Sequence, residues 1–515
     1  MLGTPCRTLL WILSKLEAIL SPDAHSSPEP PPAENSDVSN EYEREPVPAK
    51  ARLGFKSFIG QYAGEHCAGT ELMIGPLFVA AGVGAFDVLA GLLLGNLLAV
   101  LSWRFLTTPI ATSARLTLYY HLELICGRKL VTLYNVANGV MFCFLAGSMI
   151  TVSATAVGVW FNFPMPGLGD VAPNSVGWVF AVLAIGVLIS IVAATGYNSV
   201  ARFANLAAPW MVLVFLAFGL IGLKQFITAS GVSIQGPGDL WELCNTVIWT
   251  GGDPLPGQVK FTLYHVMFFA WFCNMAMHVG MSDLSVFRFA KNNRAGWATA
   301  SGMYVGHFMA WLAASILYAL QLYNNPENTD PLPGPMAAQA AGVAGLLCVI
   351  IAGWTTANPT IYRAGLAFQA IVPRVSRFKV TLAAGLLATF AGLFPGIAMQ
   401  LLGFVALYGL ILMPMGAIIV VDWYVLERLG LARHYARRAG LPFNYAAALS
   451  WVLTLAVCVT LVKIDATIVG VKPFQIYFVS LPGWFIAAGL YILLSKIMQS
   501  NRDTLPADPI PGDPS

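Results

Sequence analysis

From Phe55 onward the sequence is a succession of apolar runs, each closed by a short polar break. A run of about 20 apolar residues is what an α-helix needs to cross the hydrocarbon core of a bilayer. The runs fall at 55–83, 86–106, 129–161, 175–195, 202–223, 261–281, 295–320, 336–372, 378–395, 397–426, 444–464 and 473–496. They predict an all-α polytopic membrane protein with twelve transmembrane helices. Hydrophobic residues make up 57% of the chain and charged residues 10%, whereas soluble domains carry about 25% charged residues. Charge is costly at mid-bilayer, and that cost removes it from spanning segments.

The charges that remain are placed asymmetrically. With the N-terminus in the cytoplasm, the inner loops and helix ends hold Arg104, Arg115, Arg128, Lys129, Arg202, Arg288, Lys291 and Arg294, followed by Arg363, Arg374, Arg377, Lys379, Arg428, Arg433, Arg437 and Arg438. The outer loops hold Lys224, Lys260, Lys463 and Lys472. This is the inside excess that sets orientation in membrane proteins, so both termini are expected in the cytoplasm. The net charge of +3 gives no footprint for nucleic acid. The eight cysteines show no CxxC and no Cys/His spacing of a zinc site or disulfide framework.

Residues 1–54 differ from the rest of the chain. Leu9–Leu20 is too short to span, and the Pro-, Ser- and Glu-rich stretch after it cannot bury enough apolar surface to fold. A disordered cytoplasmic tail is expected there, and a second short tail over 497–515.

A transporter must interrupt its apolar pattern where solute and ion bind. The first run reads FIGQYAGEHCAGTELMIG and sets Glu65, His66 and Glu71 among four glycines. Its glycines weaken the helix and free carbonyls for a cation, which is tolerated only beside a cavity or inside protein. The sixth run, HVMFFAWFCNMAMHVGMSD, places Trp271 one turn before Asn274 and adds His278 and Asp283. A ring beside an amide suits a planar heterocycle. The eighth run gathers Thr355, Thr356, Asn358 and Thr360 around Pro359. Adjacent hydroxyls, with carbonyls exposed by the proline, make a hard-oxygen site suited to Na⁺. The competing reading has each threonine hydroxyl bonding back to a carbonyl one turn earlier. Broken helices opening two five-helix groups, 55–223 and 261–426, point to a five-plus-five inverted repeat with a midplane site, followed by two extra helices over 444–496.

Two long stretches carry a resemblance: AGWTTANPTIYRAGLAFQAIVPRVSRFK at 352–379 and PMGAIIVVDWYVLER at 414–428. With LLLGNLLAVL, DLSVFRFAK and FNYAAALSW they make the chain resemble the nucleobase–cation symporter family, the purine/cytosine permease-like transporters and their hydantoin and allantoin relatives. That resemblance implies a leucine-transporter-like fold. It places a cation between the backbone at Gly64 and Cys67 and the eighth-helix residues Ala352, Thr355 and Thr356. It places the solute among Phe144 and Ser148 of the third helix, Trp271 or, counting back from Asp283, Asn274 of the sixth, and Asn358 or Thr360 of the eighth. Glu65, His66 and Ala68 of the first helix are also expected beside the solute, although Glu65 and His66 are not ordinary residues of the family there. Phe144 stands where the family carries a tryptophan, and Trp271 lies about one turn from its expected place.

The expected activity is cation-coupled symport of a nucleobase or related N-heterocycle by alternating access, in a bacterial inner membrane. Na⁺ is the expected coupling ion, and H⁺ is an alternative through Glu65 or His66. An amino-acid or quaternary-amine symporter of the same fold is the second reading. A membrane enzyme would need a nucleophile–base set or a metal motif such as HExxH, and the sequence has neither.

Overall fold

The computed structural model describes residues 41–167, 170–272, 278–398, 401–467, 478–499 and 505–506. Among the described residues nine helices are long and apolar enough to cross a bilayer. There is no strand among them, and only two isolated bridge pairs, Leu53 with Ala290 and Gly84 with Thr250.

The first apolar run is two helices, α1 (Lys56–His66) and α2 (Glu71–Ala80). Cys67 leaves the helical region at φ −100°, ψ 55°, and the four residues between the helices form a turn. The second run is one long helix, α3 (Ala85–Ala114). A short α4 (Leu118–Cys126) leads into α5 (Arg128–Phe161), α6 (Val176–Ala194) and α7 (Tyr197–Ser230). The sixth run is also broken: α8 (Leu263–Phe272) stops well before α9 (Leu284–Phe287). Met281 lies between them in the left-handed region at φ +67°, a conformation rare for a side chain of its size. The remaining long helices are α10 (Asn293–Asn324), α11 (Pro333–Ile371), α12 (Arg377–Gly392), α13 (Leu401–Tyr424), α14 (Tyr445–Thr467) and α15 (Ser480–Met498).

These helices sort into two groups by packing. In the first, α8 lies along α3, α10 lies along α2, and α1 touches the start of α10. In the second, α11 runs along α5, while α12 packs against α5, α6 and α11. Helix α7 contacts α1, α10 and α11 and so borders both groups. Small residues allow the close approaches, as is usual where helices meet without a hydrophobic drive. A Cβ added at Gly353 of α11 would lie 2.6 Å from the Met149 carbonyl of α5, and one at Gly75 of α2 would lie 2.5 Å from the Trp311 carbonyl of α10.

Three sequence expectations are corrected here. Residues 41–54 are not a disordered tail. The Tyr42 carbonyl accepts from Arg288 Nη1 at 2.7 Å, Val47 N donates to the Arg115 carbonyl at 3.2 Å, and Glu41 Oε2 lies 3.7 Å from Arg377 Nε. Their polar composition is that of a strap answering charged helix ends. Residues 1–40 lie outside the described residues. The second correction concerns α11, whose helical dihedrals fail at Ala341 and Gly342 (φ +55°) and continue through Pro359. The glycine permits the left-handed kink, and the proline removes one donor without ending the helix. Third, Arg363 and Arg288 are buried rather than marking exposed helix ends; both are held by partners inside the bundle.

Candidate functional site

The site arises from what the break between α1 and α2 leaves undone. The last helical bond of α1 runs from Cys67 N to the Ala63 carbonyl at 2.9 Å. The carbonyls of the last turn after it have no donor further along the same helix. Thr356 of α11 answers one of them: its hydroxyl donates to the Glu65 carbonyl at 3.3 Å and to its own helix's Ala352 carbonyl at 3.2 Å. Thr355 Oγ1 lies 3.0 Å from the same Ala352 oxygen. Pro359 has no N–H to offer the Thr355 carbonyl four residues earlier. Neutral hard oxygens from α1 and α11 are thus gathered where the two helix groups meet.

Other residues named from sequence lie around this point. The turn packs on the second group, since a Cβ at Gly69 would lie 3.6 Å from Gly353 N. Ala68 is buried within that turn. Gly64 instead faces α7, with its absent Cβ 3.2 Å from the Ala204 carbonyl. The Cys67 thiol points to α10, donating to the Val305 carbonyl at 3.7 Å. Thr360 Oγ1 bonds back to the Thr356 carbonyl at 2.7 Å. Back-bonding therefore describes Thr360 fully and Thr355 and Thr356 in part, but only Thr356 also reaches another helix's backbone.

A charged cluster sits next to the oxygens. Arg363, two turns along α11, is 1% exposed, Glu65 5% and Asp283 fully buried. Arg363 Nη1 donates to Glu65 Oε1 at 2.6 Å and Nη2 to Asp283 Oδ1 at 2.8 Å. Asp283 Oδ2 also accepts from Tyr62 Oη at 2.7 Å and Trp103 Nε1 at 2.8 Å. Tyr119 of α4 donates its hydroxyl to the Arg363 carbonyl at 3.0 Å. One guanidinium of the second group therefore clamps carboxylates from both broken segments of the first. Its fork can serve two carboxylates at once, which a lysine ammonium on one stem does poorly. Sequence reasoning singles out Glu65 and Asp283 but takes Arg363 for a helix-end charge. A signal for it exists: acids inside apolar runs require a buried cation, and an arginine stands beside the threonine cluster.

The expected solute residues have the following partners. Trp271 of α8 donates Nε1 to Ser102 of α3 at 2.9 Å and stacks on Phe272 at 5.1 Å, so its polar edge is turned into its own helix group. Phe144 and Ser148 share a face of α5, with Ser148 Oγ bonding back to the Phe144 carbonyl at 3.1 Å. Asn358, with its amide oriented by its neighbours, donates to the Ile189 carbonyl of α6 at 3.1 Å and accepts from Trp354 Nε1 at 2.9 Å. Its amide is therefore engaged toward α6 and by Trp354 of its own helix. Asn274 lies outside the described residues. His66 is buried and turned toward α10, where Gly302 and Gly306 leave room for it.

No protein-family model matches the sequence, and no curated protein does. Solved structures do match. One is Mhp1, a nucleobase-cation-symport-1 family transporter, in a closed conformation with bromovinylhydantoin bound; its TM-score is 0.65 at 16% identity, over 91% of this chain and 97% of that one. The inward-facing conformation of Mhp1 matches with TM-score 0.64 at 14% identity, over 92% and 96%. A Na⁺-coupled sialic acid symporter in a substrate-bound outward-open state matches with TM-score 0.61 at 14% identity, over 89% and 92%. Likeness at this identity and coverage is likeness of framework: this chain has the fold shared by Mhp1 and the sialic acid symporter, with its two broken helices and its two packed helix groups.

Proposed function

We infer that this chain is a cation-coupled symporter that moves a small solute by alternating access, with Na⁺ as the coupling ion. The observation that carries the reading is the meeting of Thr356 with the Glu65 carbonyl. A hard cation takes oxygen ligands, and the oxygens of Glu65, Ala352, Thr355 and Thr356 converge at the contact between the two helix groups. A cation bound there ties the end of α1 to α11, and Arg363 ties the same elements through side chains. Ion occupancy and the relative position of the groups are thus set by one residue, Glu65, through its carbonyl and its carboxylate. Rocking of one group against the other around a midplane site is the movement this arrangement serves.

The solute is read as a planar N-heterocycle, held by Phe144 and Ser148 from α5 and by Trp271 and Asn274 from the sixth segment. The bromovinylhydantoin bound to Mhp1 supports that class. Counting each broken segment and α12 (Arg377–Gly392) as one crossing makes twelve, with both termini in the cytoplasm of a bacterial cell. The repeats are 55–223 and 261–426, and the added pair is 444–496.

Thr356→Ala tests the ion site, because it deletes a ligand while leaving a good helix former. Loss of one oxygen is expected to raise the sodium concentration for half-maximal uptake by about tenfold, equivalent to 1.4 kcal/mol. Unchanged sodium dependence at normal expression removes Thr356 from the site. Counterflow with labelled cytosine, uracil, allantoin and betaine in proteoliposomes separates a heterocycle carrier from a quaternary-amine carrier.

A further inference from the structure

The exposed side of α3 ends in an arginine that neither the ion oxygens nor the solute residues use. Phe86, Leu93, Leu97 and Phe105 are exposed along that helix, an apolar side fit to face lipid. Arg104 stands about 28 Å along the helix from Ala85 at 1.5 Å per residue, close to the ~30 Å thickness of a hydrocarbon core. It therefore comes at the bilayer boundary, toward the end of α3 that carries Arg115. Here the helix loosens into a wider i→i+5 turn, Trp103–Thr107, a form that collects at functional sites. Trp103 is fully buried, whereas Arg104 is half-buried and Phe105 exposed.

The surroundings of Arg104 attract a cation but give it no acceptor. Its Nε is buried without a hydrogen-bond partner among the described residues, and no carboxylate among them pairs with it. A guanidinium keeps its charge, and a charge at the edge of the hydrocarbon is costly unless it is paired. Its carbon lies 4.9 Å from the Phe105 ring centroid and 5.8 Å from that of Trp297, and the two rings meet edge to face at 6.0 Å. Trp297 is 42% exposed, as an interfacial tryptophan is. It belongs to the 3₁₀-helix Asn293–Ala298 that opens α10. Residues three apart eclipse in such a helix, so the exposed Arg294 shares the face of Trp297. Gly296 lets this helix press on the wide turn, since an added Cβ would lie 2.8 Å from Arg104 Cα and 2.7 Å from Thr108 Oγ1. Deeper in the bilayer α10 stays on α3, where Tyr304 Oη donates to the Leu93 carbonyl at 3.3 Å.

We propose that Arg104, Arg294 and Trp297 form a binding site for the headgroup of an anionic phospholipid. The phosphate takes the Arg104 guanidinium, whose planar fork matches two phosphate oxygens. The ester region lies against Phe105 and Trp297, and an acyl chain follows the exposed leucines of α3 toward the bilayer centre. Arg294 selects the anionic head, because a choline head would bring a second cation up to it. Basic pockets between helices at the cytoplasmic side of a membrane serve this kind of recognition, and the arginine and lysine asymmetry puts this end of α3 on that side. The site shares no residue with the ion oxygens or the solute residues, so it stands or falls apart from the transport reading.

The test is native mass spectrometry of the full chain in mild detergent, titrated with phosphatidylglycerol, with phosphatidylcholine and with inorganic phosphate. The adduct masses tell the three apart. The expected result is that the wild type retains phosphatidylglycerol in preference to phosphatidylcholine. Arg104→Gln should bind it about tenfold more weakly, the scale of one lost charge-assisted hydrogen bond. Arg437→Gln, at an exposed arginine of the loop before α14, should bind it as the wild type does. If Arg104→Gln elutes as aggregate, Trp297→Ala carries the test, since it keeps the arginine, removes the ring beside it and should weaken retention several-fold. Equal retention of the two lipids, or equal phosphatidylglycerol binding by the wild type and the folded variant, overturns the proposal. Displacement of the lipid by an equal concentration of inorganic phosphate overturns it too, because the site would then take a free anion.

Discussion

Replacing Arg363 with Met should be among the most damaging single changes in this protein. The guanidinium is 1% exposed and donates to Glu65 and Asp283 at 2.6 and 2.8 Å. Removing one partner of a buried ion pair costs about 3–5 kcal/mol, because the other charge is left in a dry site. Here two carboxylates are stranded, but unequally. Asp283 keeps its bonds from Tyr62 and Trp103, whereas among the described residues Glu65 has no donor to its carboxylate but Arg363. The penalty should therefore fall mainly on Glu65. Adding Glu65→Gln to Arg363→Met should recover more than half of the lost stability, and adding Asp283→Asn alone should recover less. Arg363→Lys should lie between wild type and Arg363→Met, since one ammonium cannot reproduce both arms of the fork. Thermal unfolding in detergent, read as monodisperse protein after heating, ranks the five proteins. The reasoning is refuted if Arg363→Met melts with the wild type, or if Glu65→Gln does not improve it.

Three further outcomes are expected. Trp271→Ala should lower solute affinity by about tenfold if its ring stacks on the substrate, given 1–3 kcal/mol per stacked base, and Trp271→Phe should lose much less. A drop in melting temperature with binding unchanged would instead make Trp271 a packing residue tied to Ser102. Gly353→Ala should cost about 1–3 kcal/mol by overpacking, because the new methyl meets the Met149 carbonyl at 2.6 Å; a wild-type melting temperature would show that α5 and α11 can separate freely. A reporter fused at Ser515 should signal from the cytoplasm, and a periplasmic signal would refute the orientation drawn from the arginine and lysine asymmetry.

Membrane class and the positions of the breaks were legible in the residues themselves. Apolar length is a local property, and the hydrocarbon core reads it one segment at a time. Glycines and acids between Gly60 and Gly75, and the polar residues from His278 to Asp283, marked both interrupted helices for the same reason. Thr355 and Thr356 could be picked out because two adjacent hydroxyls beside a proline are unusual in an apolar run. Partners were not legible, since a partner is decided by which helices touch. Arg363 sits 298 positions from Glu65 and 80 from Asp283, and no spacing rule joins them. Trp271 and Asn358 looked suited to a solute by residue type, yet packing turned their polar atoms to Ser102 and to Ile189. Even the strap at 41–54 has the composition of a tail, and it is ordered because buried arginines at the helix ends need its carbonyls and carboxylates. Residue order alone marks the apolar segments and the places where they break, because the bilayer acts on each segment singly. Which charges neutralise one another, and which polar side chains neighbouring helices engage, depends on contacts between segments far apart in the chain, as between Arg363 and Glu65.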